Sequence, residues 1–282
     1  MGCGDIGRRL VGLYQMLKNT PEINGLVNSS RSLEACSKLG INCLKFNVDD
    51  EDSLKQISNY DFKGCQLFYF IPPPSHGKQD IRLAKFLEQI SHTPQRIVLI
   101  STTGVYGDSK GEWIDETTPV NPVADRAHRR LSAENSLKQW AKKSDCEYMI
   151  LRVPGIYAQD RLPLARLQKG LPVVNETEAG FTNRIHADDL AQACLLAMES
   201  SHSNEIINIS DGNPSTMTSY FNQVADYANL PRPPQISMQQ AEKTLSDGMV
   251  SYMKESRRIK NTKMLALLAI DLKFPSLEST FH

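Results

Sequence analysis

The sequence predicts an α/β protein, a doubly wound parallel sheet with a small C-terminal cap. Two observations carry the prediction. Short apolar runs alternate with helix-period segments as far as residue 153, the rhythm of a parallel sheet covered on both faces. The chain also opens on G-C-G-D-I-G (2–7), a glycine turn leading into a helix. A length of 282 residues suits one large α/β domain with a smaller appendage.

The elements follow in order. Ile6, Leu10, Leu13, Tyr14 and Leu17 fall at helical spacing. Strands are expected at 22–27, 42–48, 65–74, 96–102 and 146–153, the third stopped by Pro72, Pro73 and Pro74. Helices are expected at 32–40, from Glu51, at 80–90 and at 125–143. Beyond Val153 the rhythm breaks into a segment rich in proline and leucine. A helix (186–200) and a strand (205–210) return, followed by PRPP, a helix near 239–247 and an apolar run at 264–270. The division expected is a nucleotide-binding domain, 1–152 with 186–212 returning to it, and a substrate-binding cap made of 153–185 and 213–282.

Composition narrows the partners. Lys plus Arg and Asp plus Glu are both 32, so no general polyanion-binding surface is expected, and no nucleic-acid motif appears. No apolar run approaches the roughly 18 residues of a membrane span. The six cysteines form no CxxC pair and show no zinc spacing, so they read as reduced thiols of a cytoplasmic protein with no metal. No pair of carboxylates has glycosidase or metal spacing. A small-molecule substrate remains, with the chain a monomer or homodimer.

The glycine turn carries the first chemistry. Gly2 permits the tight turn, Gly4 lets the backbone approach a pyrophosphate, and Gly7 allows close helix packing. The helix beginning at Asp5 and Ile6 supplies amide donors and a partial positive charge. The strand that normally precedes this turn lies mid-sheet, and Met1 leaves no room for it. The expectation is a truncated first strand, with about six to eight residues missing upstream. After the second strand, where NAD-binding folds place an acid, the sequence reads Asn28, Ser29, Ser30, Arg31. Without an acid to repel a 2′-phosphate, NADP is expected to be preferred over NAD.

The chain resembles the extended and atypical branch of the short-chain dehydrogenase/reductase superfamily, the NAD-dependent epimerase/dehydratase family. The resemblance rests on GCGDIG (2–7), VLISTTGVYGD (98–108), LRVPGIY (151–157) and NRIHADDLAQA (183–193), and spans nearly the whole chain. It implies a Rossmann domain with a substrate cap, and oxidation or reduction of nucleotide sugars or related small molecules by a bound nicotinamide. It places the active-site hydroxyl at Thr102, which also meets the cofactor. It puts Asn47 and Val48 at the adenine, Pro72 and Pro73 beside the pyrophosphate and ribose, and Thr103, Tyr157 and Arg161 toward substrate.

The family pair Tyr-x-x-x-Lys is replaced. With AEN (133–135) setting the register, Arg126 takes the tyrosine position and Arg130 the lysine position. Arg130 can reach ribose hydroxyls, but Arg126 has no accessible neutral form and cannot carry a proton. His128 titrates in the right range yet turns away from that face. His186 and Asp188 are expected to hold the cap hinge, and Arg152 to form a structural ion pair. Two readings follow: an NAD(P)-dependent oxidoreductase, epimerase or dehydratase with a degenerate site, or a non-enzymatic NADP(H)-binding sensor or regulatory protein.

Overall fold

A computed structural model describes residues 1–245 and 247–281. The nucleotide-binding half runs α1 (Asp5–Gln15), β1 (Asn24–Val27), α2 (Ser30–Ser37), β2 (Asn42–Lys45), α3 (Glu51–Ile57), β3 (Gln66–Tyr69), α4 (Ile81–Gln89), β4 (Arg96–Thr102), β5 (Trp113–Ile114), α5 (Asp125–Ser144) and β6 (Glu147–Val153). Then come β7 (Gly155–Tyr157), α6 (Leu164–Gln168), β8 (Val173–Val174), β9 (Phe181–Thr182), β10 (Arg184–His186), α7 (Ala187–Glu199) and β11 (Glu205–Asn208). The tail adds β12 (Ser215–Thr216), α8 (Met217–Tyr227), β13 (Gln235–Ile236), α9 (Met238–Thr244), α10 (Asp247–Met253), β14 (Arg258–Ile259) and α11 (Thr262–Leu268). The helix expected near 239–247 is thus two shorter helices, and position 246 lies outside the described residues.

The main sheet is parallel, in the order β11-β6-β4-β3. Its longest ladder runs from Arg96 opposite Glu147 to Thr102 opposite Val153. Alternation along the strands splits their side chains between two cores. Val98, Met149 and Leu151 face α1 and α7, against Ile6, Leu10, Leu190 and Ala191. Ile97, Leu99 and Ile150 face the other way, against Leu54, Phe86 and Leu137 of α3, α4 and α5. Both faces are covered, as a parallel sheet requires.

The strands at the start of the chain stand apart from the main sheet. β1 and β2 form a separate parallel pair, and among the described residues no strand joins that pair to β3. Residues 1–3 bridge that interval. The Met1 amine donates to the Phe68 carbonyl (2.8 Å), and the Phe70 amide donates to the Met1 carbonyl (3.0 Å). The Gly2 and Cys3 amides both donate to the Leu26 carbonyl at 3.0 Å. Among the described residues the rest of the inner edges of β1 and β3 has no ladder.

The cap has its own small core. Phe221, Val224 and Ala225 of α8 pack on Tyr157, Leu167, Val173 and Leu277. One boundary differs from the sequence division: Met264, Leu268 and Ile270, assigned to the cap, join the core of α7 and β11 around Leu190 and Ile207. The outer apolar faces of α7 and β11 need a cover, and α11 supplies it. The same end of the chain is pinned by Asp189, which is wholly buried and accepts from the Lys273 and Phe274 amides at 2.9 Å each.

A two-stranded parallel unit without a central neighbour is marginal alone. Hydrogen exchange is therefore expected to be markedly faster at the β1 and β2 amides than at those of β4 and β6. Equal protection of the two sets would contradict this reading of the interruption.

Candidate functional site

At the glycine turn each glycine has a distinct reason. Gly2 has a φ of +75°, and a Cβ there would lie 2.9 Å from the Ile71 amide nitrogen and 3.0 Å from the Phe70 carbonyl carbon. Only glycine lets the turn pass so close to the end of β3. A Cβ at Gly4 would meet nothing nearer than 3.9 Å, so the turn is open on that side. At Gly7 it would touch the Gly2 carbonyl oxygen and Cys3 Sγ at 3.4 Å, so this glycine fits the helix against its own turn.

No side chain caps α1, so the amides of its first turn remain free for an anion. The donor set and the open turn fit a dinucleotide pyrophosphate. The Asp5 carboxylate at the same end is held by Arg161 (2.7 Å) and Arg9 (3.1 Å). Burial opposes its ionisation, but bonds from Arg161 and Arg9 outweigh burial and pull the carboxyl below its usual range. Arg9 also binds Asp160 (2.9 Å) and Asp188 (2.6 Å), which ties α1 to the cap and to α7.

Beyond the turn, Asn28, Ser29, Ser30 and Arg31 are exposed at the end of β1. Ser29 caps α2, its Oγ accepting from the Ser32 amide (3.1 Å). After β2, Asn47 is half-buried and its side chain accepts from the Asp49 amide (3.1 Å). Val48 points into the core beside Leu54 and Tyr69, so its backbone alone can meet a ligand. Asp49 grips Arg82, whose guanidinium donates to the Pro72 (3.0 Å) and Pro73 (3.3 Å) carbonyls and fixes the proline loop after β3.

The strand ends open into a cleft of about 480 Å³. Its floor includes Pro72, Pro73, Thr102 and Thr103, its α5 wall Arg126, Arg129 and Arg130, and its cap wall Asn183, Tyr252, Glu255 and Arg257. Thr102 Oγ1 accepts from the Gly104 amide (3.2 Å), which leaves its hydroxyl hydrogen to donate. Arg126, Arg130 and Glu134 form one i, i+4, i+8 stripe on α5, running from the exposed rim to full burial. Arg130 donates to the Ile100 carbonyl (2.9 Å), and burial draws its pKa down while Asp80 opposes the shift.

Glu134 anchors the stripe. Its Oε1 accepts from Arg152 Nε (3.0 Å) and Ser101 Oγ (2.6 Å), and its Oε2 from Arg152 Nη2 (2.8 Å). The Arg152 guanidinium lies 4.8 Å from the Tyr106 ring centroid, and Tyr106 donates to Asn208 (2.9 Å). Arg152 is therefore the structural ion pair the sequence suggested. Its partner Glu134 served there only to set the register.

Two substrate expectations fail. Tyr157 is 1% exposed, packed in the cap core with its hydroxyl 3.4 Å from the Phe274 carbonyl. Its register on β7 turns it inward, opposite His186. Arg161 lies at the glycine turn on Asp5, not in the cleft. His128 does not line the cleft either. His186 is buried and stacks on Phe274, centroids 3.7 Å apart, while Asp188 is spent on Arg9. The neighbouring Asp189, which the sequence did not single out, makes the buried tie to the tail.

Sequence reasoning also missed the cap wall. Asn183 bridges two strands, donating to the Arg257 carbonyl (3.0 Å) and accepting from the Ile259 amide (2.8 Å). Arg257 donates to Glu255 (2.8 Å) and to the Gly107 carbonyl. The other Glu255 oxygen is buried without a partner. Its signals were Asn183 at the head of NRIHADDLAQA and the charged run ESRRIK (255–260).

Residues 80–210 match the model of the NAD dependent epimerase/dehydratase family. Protein YeeZ of Escherichia coli is 25% identical over 224 residues, covering 76% of this chain and 77% of that protein. A functionally unknown conserved protein from Silicibacter pomeroyi superposes with a TM-score of 0.80 at 25% identity, over 99% of this chain and 94% of its own. The fold also matches UDP-glucose 4-epimerase from Thermotoga maritima, solved with UDP-glucose (TM-score 0.77, 20% identity, 99% and 94% covered). It matches UDP-glucuronic acid 4-epimerase from Bacillus cereus, solved with NAD (TM-score 0.76, 15% identity, 98% and 92% covered). Residues 80–210 thus resemble the epimerase/dehydratase family, and the fold of the chain is that of the epimerases it superposes on. Among the described residues no helix is long and apolar enough to cross a membrane.

Proposed function

We propose that this chain binds a nicotinamide dinucleotide and acts as an oxidoreductase, epimerase or dehydratase on an anionic small molecule such as a nucleotide sugar. The observation that carries this reading is the composition of the cleft. Thr102 at the end of β4 opens into the same space as Arg126, Arg129, Arg130 and Arg257, four cations against the single carboxylate of Glu255. Such a surplus suits a substrate with phosphate or carboxylate groups.

The roles divide by position. The amides of Asp5, Ile6 and Gly7 hold the pyrophosphate, with Gly2 shaping the turn and Gly4, whose own amide donates to the Gly2 carbonyl (2.7 Å), leaving the approach open. Asn28, Ser29 and Arg31 receive the adenosine ribose and its 2′-phosphate. Asn47 and the Val48 backbone flank the adenine. Pro72 and Pro73 border the nicotinamide ribose, toward which Arg130 donates. The nicotinamide, when bound, takes or returns a hydride. Thr102 donates to the substrate oxygen that gains charge, with Thr103 beside it. Arg126 binds an anionic group at the rim and carries no proton. Tyr252 is the phenol that lines this cleft and takes the acid/base part left vacant on α5. The protein works in the cytoplasm as a monomer or homodimer.

One observation favours a second reading. Arginine fills both positions of the missing pair, which suits a non-enzymatic NADP(H) sensor. Cofactor binding without turnover of any nucleotide sugar or small carbonyl would establish that reading instead.

Two measurements test the proposal. Calorimetry should show tighter binding of NADP(H) than NAD(H), and Arg31→Ala should cost NADP(H) about 1.5–3 kcal/mol while leaving NAD(H) nearly unchanged. Equal affinities, unaltered in the variant, would contradict the preference. Thr102→Val should lower turnover by about 10²–10³ with binding retained, and full activity in that variant would displace the active site from β4.

A further inference from the structure

Three thiols far apart in the sequence meet behind the glycine turn. Cys3 lies within the turn, Cys36 in the last turn of α2, and Cys43 in β2. Their Sγ atoms all lie within 4.8 Å of one another. Cys3 and Cys36 are 7% and 0% exposed, and Cys43 is half-buried and offers a way in. Val11, Val27 and Ile41 pack around them, and all three thiols are free.

Gly25 makes the room for this cluster. A Cβ at that position would stand 2.3 Å from Cys43 Sγ and 3.4 Å from Cys3 Cβ. A side chain at position 25 would therefore drive the Cys43 sulfur away from its partners.

We propose that Cys3, Cys36 and Cys43 form a trigonal thiolate site for a thiophilic closed-shell cation of the zinc(II) or copper(I) class. A metal–sulfur bond of about 2.3 Å places three trigonal sulfurs about 4 Å apart, within the separation found. An all-sulfur set selects such ions over magnesium, calcium or manganese. Burial pushes the Cys3 thiol up to about 11 and the Cys43 thiol well above its usual range, so an ion that binds them displaces their protons. Binding forms three metal–sulfur bonds, and each thiol gives its proton to solvent. A divalent ion then leaves one net negative charge near the start of α1, where the helix dipole favours it.

The ion also has a structural consequence. It ties the turn, α2 and β2 together, and these elements belong to the part of the sheet that lacks a central ladder. Spacing could not reveal the site, because each ligand comes from a different element and the sheet order alone unites them.

The test uses the full chain, reduced and metal-free, titrated with cadmium(II) as the probe. The expected result is one ion per chain with thiolate-to-cadmium charge-transfer absorbance, proton release, and a raised melting temperature. Hydrogen exchange should slow at β1 and β2 but not at β4 and β6. Cys43→Ser should lose the charge-transfer band, and Gly25→Ala should lose it too although all three thiols remain. Cys65→Ser, which removes an exposed thiol elsewhere, should keep it. Absence of stoichiometric charge transfer in the unaltered chain would overturn the proposal, as would wild-type binding in folded Cys43→Ser. If Gly25→Ala does not fold, Cys43→Ser decides alone, since its half-buried site tolerates the change best.

Discussion

Glu134 is the contact on which the cleft depends. It has no solvent exposure, and it joins α5 to the ends of two strands through Ser101 on β4 and Arg152 on β6. A carboxylate in that position fixes the roll of the helix as well as its distance from the sheet. Arg130 and Arg126 lie four and eight residues back on the same face, so the roll aims both at the space above Thr102. The price of burying the charges is offset by pairing, since every oxygen of Glu134 has a donor. The Tyr106 ring beneath Arg152 extends the network to β11 through Asn208.

The cofactor side is organised differently. Its geometry comes from backbone, with Gly2 pressed against the end of β3 and the first turn of α1 left uncapped. Its charges are organised around Arg9, which draws together acids from α1, the cap and α7. The cap is thereby held to the glycine turn, while Asp189 of α7 holds the chain's tail.

Much of this was legible because it is local. Alternating apolar periods gave the order of strands and helices, and the GCGDIG turn, the Thr102 strand end and the arginines of α5 all follow from short motifs. What was not legible depends on long-range packing. Tyr157 begins the cap in sequence, but the pairing of β7 with β10 turns it inward. Arg161 is drawn to Asp5, 156 positions away. The cap wall joins Asn183, the first residue of a motif read for its hinge, to Tyr252, Glu255 and Arg257 about 70 positions on, where only the charged run ESRRIK hinted at a site. The tail at 264–270 reads as an isolated apolar run until α7 and β11 are seen to need a cover.

The claim that Glu134 and Arg152 act as one unit pinning α5 to the strand ends is tested most directly by a double-mutant cycle. Urea denaturation of Glu134→Leu, Arg152→Met and the double variant would measure the coupling. The account predicts that each single change costs about 3–5 kcal/mol, because it strands a buried partner, and that the double change costs far less than their sum. Additive costs would contradict it.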